Sequence, residues 1–325
     1  MQRTKLTIIL LLTISLFSIA QIAQAVTIEK TYVGIKYSFR NFRTNGEVIF
    51  IDPFGKKMAV YELATKQILA FYNYIGNFVV EVYDLKNSYI TVDRTGPNIS
   101  KVSLAGEALK TVKFERRIQG SVMNNGNIYV LLEGGQFYVY DTDLKQVSSG
   151  KFVGSPAYIY AWNGKVFGTY IWNDSYDVEF IGEEPKDLGL TTPSLLVGNL
   201  LIDTRGGQVY NLETKKTIKL SSYISSAYFD GQNYLIASMS NSKVYTLNGE
   251  NTISSFQVPY TPTAIAKVGE NIVVISAPYN KVMITTDGKN IETYPTGEYP
   301  IEIFKLNNGF AVYCSDSGEV YYYYF

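Results

Sequence analysis

Apolar residues along most of the chain occur in short runs that are separated by Gly, Asn, Asp or Ser turns. The segment Leu200–Ile218 shows this most clearly, since two apolar runs flank Gly206-Gly207 and a second turn leads into a third run. Such a succession is typical of antiparallel strands joined by tight turns. No segment has a convincing helical spacing of apolar residues. The pattern therefore predicts an all-β protein.

The same pattern recurs eight times, at intervals of about 33–42 residues. Each copy opens with a turn and continues into a strongly apolar strand, and the strand after it repeats as well. The copies begin at Asn45, Lys86, Asn125, Asn163, Val197, Asp230, Val268 and Asn308. With its neighbouring runs, each copy supplies four strands, which is the content of a propeller blade. We therefore predict a single domain, residues 26–325, that forms a β-propeller of eight four-stranded blades.

The two ends of this domain complement each other. The last copy is one strand short of a blade, because only Tyr321–Phe325 follows Val320. The segment Val26–Val33 precedes the first copy and alternates like a strand left over. Pairing it into the last blade would close the ring and remove exposed edges. The polar stretch Asn173–Tyr176 makes the fourth copy the least regular, so seven blades is the alternative.

Residues 1–25 differ from the rest of the chain and are predicted to be a secretory signal peptide. Arg3 and Lys5 precede the apolar run Leu6–Ala20, and Ala23-Gln24-Ala25 has the small-x-small form that signal peptidase requires. The alternative is an uncleaved membrane anchor over Leu6–Ala23. We expect a protein that is secreted or on the outer face of the cell envelope, with no membrane insertion once the signal is cleaved.

Composition supports the all-β prediction and limits the chemistry. The 28 Tyr and 17 Phe suit half-buried pleated surfaces, and the zero net charge gives no electrostatic reason to expect nucleic acid as a partner. The chain has no His, which excludes His-dependent triads and His-ligated zinc. Its single Cys314 lies in an alternating apolar run and is predicted to be a small buried residue. No sequence motif indicates a metal site or a cofactor.

The segment Gln208–Ile218 resembles the strand-turn-strand repeat of secreted PQQ-like and YVTN-type β-propellers. In those proteins a Val-Tyr strand, a turn with Thr and Gly or Lys, and another strand form the outer half of a blade. The resemblance extends as a general pattern over nearly all of residues 26–325, and it implies a secreted propeller. The departures are that Ile218, Ile68 or Val147 stands where PQQ-type blades have Trp, and that Lys66 or Lys215 stands at the family's Gly. The missing Trp docking makes a quinone-dependent dehydrogenase the weakest of the enzymatic alternatives.

Polar residues in the loops between the second and third strands are the candidates for a ligand site. In a propeller these loops share one mouth of the central channel, where carboxylates can bind sugar hydroxyls or a cation and arginines an anion. The predicted ligand-binding residues are Asp52, Asp93, Arg94, Glu133, Asp174, Asp203, Arg205 and Asp316. The structural alternative is that tight turns require Asp for side-chain capping.

Two glycosylation sequons, at Asn98 and Asn173, are predicted in the same loops. Glycans there would shade the channel mouth and count against a wide substrate entrance.

Two functional hypotheses follow. The first is a non-enzymatic propeller that binds an extracellular protein or a glycan. The second is a carbohydrate-active hydrolase or lyase that uses carboxylates at the channel mouth.

Overall fold

The computed structural model describes residues 26–38, 41–43, 46–249 and 251–325. The predicted signal segment, residues 1–25, lies outside this part. The described residues form 31 strands in eight antiparallel sheets and no helix. Seven sheets have four strands and one has three. The prediction of an all-β, eight-bladed propeller is therefore confirmed.

The strands, numbered in chain order, fall into blades as follows. Blade 1 contains β2 (Asn41–Arg43), β3 (Glu47–Asp52), β4 (Lys57–Glu62) and β5 (Gln67–Tyr72); blade 2 contains β6 (Val79–Asp84), β7 (Ser88–Asp93), β8 (Asn98–Ser103) and β9 (Ala108–Lys113). Blade 3 contains β10 (Ile118–Asn124), β11 (Asn127–Leu132), β12 (Gln136–Tyr140) and β13 (Gln146–Lys151); blade 4 contains β14 (Tyr158–Trp162), β15 (Lys165–Thr169) and β16 (Val178–Phe180).

The second half of the ring continues in the same way. Blade 5 contains β17 (Pro193–Val197), β18 (Leu200–Asp203), β19 (Gln208–Asn211) and β20 (Thr217–Lys219); blade 6 contains β21 (Ile224–Phe229), β22 (Tyr234–Ser238), β23 (Lys243–Leu247) and β24 (Thr252–Gln257). Blade 7 contains β25 (Ala264–Val268), β26 (Asn271–Ser276), β27 (Lys281–Thr285) and β28 (Glu292–Pro295); blade 8 contains β29 (Pro300–Leu306), β30 (Gly309–Cys314), β31 (Glu319–Tyr324) and β1 (Thr27–Tyr32).

The ring is closed as the sequence predicts. The N-terminal β1 pairs antiparallel with β31, from Thr27 opposite Tyr324 to Tyr32 opposite Glu319. The Lys30 ammonium lies 2.8 Å from the Glu319 carboxylate across this pair. On the face of blade 8 that packs against blade 1, the hydroxyls of Tyr322 and Tyr61 are hydrogen-bonded at 2.6 Å and link the two blades. The pairing covers β31, whose unpaired amides would otherwise form an exposed edge.

The core is distributed between the blades. Eight apolar clusters each join two neighbouring blades, including blade 8 with blade 1. Strand β30 shows how one strand serves two clusters, since Phe310, Val312 and Cys314 pack towards blade 7 while Ala311 and Tyr313 pack towards blade 1. Both faces of a blade are therefore buried, which explains why second strands are largely apolar and do not alternate. Burial also raises the pKa of the Cys314 thiol to about 11.

Blade 4 is the irregular unit that the sequence indicates. Its fourth-strand position is occupied by a segment that makes a single bridge, between Lys186 and Val178. Pro185, which has no N–H to donate to a ladder, directly precedes this bridge. The buried Asp177 carboxylate then accepts hydrogen bonds from the backbone N–H groups of Leu188 and Leu190. A side chain thus replaces part of the missing ladder.

Candidate functional site

One end of the propeller, which we call the loop face, carries two kinds of loop. Because strands alternate in direction, the loops between second and third strands lie beside those that lead from one blade to the next. Backbone hydrogen bonds join them, for example from Ser315 N to Tyr299 O at 2.9 Å and from Met239 N to Tyr223 O at 2.8 Å. All eight predicted ligand-binding residues lie at the end of a second strand or in the loop that follows it. Whether they bind a ligand stays a prediction.

Two of these carboxylates hold the loops together. Asp203 is fully buried and accepts hydrogen bonds from the backbone N–H groups of Thr191, Thr192 and Gly206 and from the Thr192 hydroxyl. Burial opposes its ionisation, but these hydrogen bonds outweigh that effect and lower its pKa. The carboxylate therefore joins the turn of blade 5 to the loop that enters that blade.

Asp93 occupies the same position in blade 2. Its carboxylate accepts from the N–H groups of Asn77 and Phe78 in the inter-blade loop, at 2.5 and 3.0 Å, and from those of Thr95 and Gly96 in its own turn. Asp52 caps its own turn in the same way, by accepting a hydrogen bond from Gly55 N at 2.6 Å. For these residues the structure supplies the turn-capping role that Asp often has in tight turns.

The other five candidates lie at separate points of the loop face. Glu133 is exposed and lies 3.7 Å from the Arg117 guanidinium. Arg205 is exposed and lies over the Trp172 ring, 5.0 Å from its centroid. Asp316 accepts a hydrogen bond from the Ser315 hydroxyl. The remaining two are Arg94, which lines a cavity described below, and Asp174, which is exposed beside Trp172.

Of the two sequons predicted in these loops, Asn173 lies in one, whereas Asn98 is the first residue of a third strand. Asn98 begins β8 with its amide directed at neighbouring polar groups, donating to Gly96 O and accepting from the Ser100 hydroxyl. Asn173 lies in the exposed loop of blade 4 and accepts from Ser175 N at 2.9 Å. Glycosylation of either residue stays a prediction.

A cavity of about 250 Å³ opens on the loop face beside the channel, between blades 1, 2 and 3. Ile51 and Pro53 of blade 1 form one wall, and Phe78, Val79 and Val80 of blade 2 form the next. The polar lining consists of Glu81, Arg94 and Gln119, and Gly120 completes the wall.

The most distinctive property of the loop face is its exposed aromatic side chains, none of which is among the predicted ligand-binding residues. Of ten exposed aromatic side chains in the described residues, seven lie on this face, with 47–64% of their surface accessible. They are Tyr37, Phe54, Tyr74, Trp172, Tyr223, Tyr279 and Tyr299. The other three are Tyr32 and Phe71 on outer strands and Phe229 at the opposite end. The recurrence of Tyr close to the start of a blade is a signal that the sequence already contained.

Four of these aromatic residues have left-handed backbone conformations. Tyr37, Trp172, Tyr223 and Tyr299 have φ between 53° and 57°. This region is sterically costly for a bulky L-residue, by about 1–2 kcal/mol, and residues held there cluster at functional sites.

Within the described part of the chain, no group of three or more acidic or Cys residues is arranged to hold a metal ion. The described residues include no helix of the length and apolarity needed to span a bilayer.

No protein-family model matches the chain, and no curated protein matches it in sequence. Solved structures share its fold at low identity. The computationally designed protein Ika8 superimposes with a TM-score of 0.68 at 12% identity, covering 90% of this chain and 98% of that one. Virginiamycin B lyase from Staphylococcus aureus gives a TM-score of 0.58 at 11% identity, covering 93% and 100%.

BamB from Moraxella catarrhalis gives a TM-score of 0.59 at 15% identity, covering 93% of this chain and 100% of that one. A catalytically inactive variant of the lyase, solved with quinupristin, carries a His-to-Ala exchange. At such low sequence identity, these similarities establish the fold alone. The chain is therefore an eight-bladed β-propeller that is similar in architecture to these proteins.

Proposed function

We propose that this protein is a non-enzymatic binding scaffold, secreted or held on the outer face of the cell envelope, whose loop face binds another protein. The observation that carries the proposal is the concentration of exposed aromatic side chains on that face. Trp, Tyr and Arg are the residues enriched among those that dominate protein interfaces. Arg205 stacked over Trp172 and Lys56 near the Tyr74 ring belong to the same pattern.

A protein partner is favoured over a glycan by the distribution of these rings. They occur around the rim, from Phe54 in blade 1 through Trp172 in blade 4 to Tyr299 before blade 8. A broad surface of this kind suits a partner that covers several blades, whereas a sugar needs rings and polar groups collected in one groove.

The enzymatic alternative is the weaker reading of the same face. The buried carboxylates of Asp93 and Asp203 accept several backbone hydrogen bonds each, and this supports a structural role rather than acid–base catalysis. The lyase that shares the fold is inactive in a His-to-Ala variant, and this chain has no His.

Crosslinking on the native cell envelope tests the proposal. The triple variant Phe54→Ser, Trp172→Ser, Tyr299→Ser is expected to lose most of the crosslinked partner that the unmodified protein recovers. The matched control replaces exposed apolar residues of outer strands, Ile68→Thr, Leu109→Thr and Val147→Thr, and should retain it. Recovery of only monomeric, unattached protein from the unmodified chain would count against the scaffold. A partner that can be removed by glycosidase treatment would point to a glycan.

Secretion is tested separately by sequencing the N-terminus of the mature protein. A chain that begins at Val26 would agree with cleavage of a signal peptide, and one that retains residues 1–25 would favour an uncleaved membrane anchor.

A further inference from the structure

We infer that the cavity between blades 1, 2 and 3 receives one bulky apolar side chain, such as Leu or Phe, from the protein partner. We call a cavity that is filled in this way an anchor site. This inference rests on the proposed function, because the partner is the one that covers the loop face.

The walls of the cavity are mainly apolar. Ile51, Pro53, Phe78, Val79 and Val80 present hydrocarbon surface from two blades. An apolar group that enters such a site leaves water without losing hydrogen bonds, which favours binding in proportion to the area buried.

Two of the three polar groups at the cavity, Glu81 and Gln119, have hydrogen-bond partners within the protein. The nearly buried Glu81 carboxylate accepts hydrogen bonds from the Tyr83 hydroxyl at 2.9 Å and from the Ser121 hydroxyl. The Gln119 amide donates to Ala157 O at 3.3 Å in blade 4. A ligand is therefore not required to satisfy these two groups, and the apolar walls favour an uncharged side chain.

The size of the cavity favours a single side chain. Sites for whole small molecules or cofactors usually measure about 300–1,000 Å³. At about 250 Å³ this cavity is smaller. Pockets of this kind, filled by one residue of the partner, are where the strongest contributions to protein binding are concentrated.

The cavity is continuous with the aromatic surface. The Phe78 ring of its wall makes an edge contact with the Phe54 ring at 5.4 Å, and Phe54 is 64% exposed. Tyr74 lies in the loop that leads to Phe78, with the Lys56 ammonium 5.7 Å from its ring. A partner lying on these rings would reach the opening, so the cavity would lie inside the contact area.

The first experiment uses N-acetyl-4-fluorophenylalanine amide as the probe, followed by fluorine NMR with the full mature chain. Saturable binding with a Kd of about 1 mM is expected for a ligand of this size. Val80→Phe extends a half-buried side chain of β6 into the cavity and should weaken binding at least tenfold. Val197→Phe makes the same exchange on β17 of blade 5, away from the cavity, and should leave binding unchanged.

Val80→Met is the second plugging variant, and its smaller increase in volume should give an intermediate loss; thermal melts establish that each variant is folded. Unsaturable binding to the unmodified protein, or equal binding by a folded Val80→Phe, would overturn the inference. Partner capture separates the two proposals. If Val80→Phe captures the crosslinked partner normally while the loop-face triple variant does not, the scaffold stands and the anchor site fails. If neither variant affects capture, the proposed function itself fails.

Discussion

The left-handed backbone of the exposed aromatic residues leads to a prediction about stability that does not depend on knowing the partner. Tyr223 has φ 57° and is 57% exposed, so truncation removes the same ring contacts whether the new residue is Ala or Gly. At an ordinary position Gly is less stable than Ala by about 0.5–1 kcal/mol, because it loses more backbone entropy on folding. A left-handed backbone costs an L-residue about 1–2 kcal/mol, and Gly avoids that cost. We therefore expect Tyr223→Gly to be more stable than Tyr223→Ala by about 0.5–1 kcal/mol.

Urea denaturation midpoints of the two variants measure this difference. Tyr32 provides the control, since it is 59% exposed and lies in β1 with an ordinary extended backbone. There the order should reverse, with Tyr32→Ala more stable than Tyr32→Gly. The same order at both positions would refute the argument that Tyr223 is held at a cost in stability. Partner capture should fall equally in both Tyr223 variants, because both lack the ring; capture kept by either would show that the partner does not contact it.

Three further outcomes follow from the contacts. Asp203→Ala should lower the free energy of unfolding by about 3 kcal/mol or more, because it leaves buried N–H groups without an acceptor. The exposed control Asp174→Ala should change it by less than about 0.5 kcal/mol. Equal effects of the two variants in urea titrations would be incompatible with the capping role. Burial raises the pKa of Asp177 to about 6, so the folded state binds the proton more tightly than the unfolded chain. Relative to Asp177→Asn, the unmodified protein should therefore lose stability as pH rises from about 4 to about 6, and a difference that is constant across urea titrations at pH 4–7 would contradict this. Deleting residues 26–32 uncovers β31 and should cause aggregation measurable by light scattering; a monodisperse, folded product would show that β1 is dispensable.

Much of the fold could be predicted from local patterns in the sequence. A turn followed by an apolar strand, repeated eight times, is enough to predict blades, because each blade is built from contacts close in sequence. The leftover strand at Val26–Val33 predicted the closure that β1 and β31 make. The polar fourth copy predicted irregularity, but not that Asp177 would replace ladder hydrogen bonds there.

The candidate site was less accessible because residue type alone does not say what a side chain contacts. Asp93 and Asp174 looked equivalent as loop carboxylates, yet one is buried under four backbone hydrogen bonds and the other is exposed. Residue type marks acids and arginines as candidates, but it does not reveal the exposure and left-handed backbone that distinguish Tyr223 and Tyr299.

The sequence by itself determined that this chain forms antiparallel blades and favoured eight of them over seven, since turn residues and apolar runs act over a few residues. Only the tertiary structure decided which residues share a surface. Loops from different blades lie far apart in sequence and meet on one face only when the ring closes. Asp203 is buried by the loop that enters its own blade. Packing of neighbouring blades leaves Tyr299 exposed and assembles the cavity from Ile51, Val80 and Gln119, which lie in three different blades.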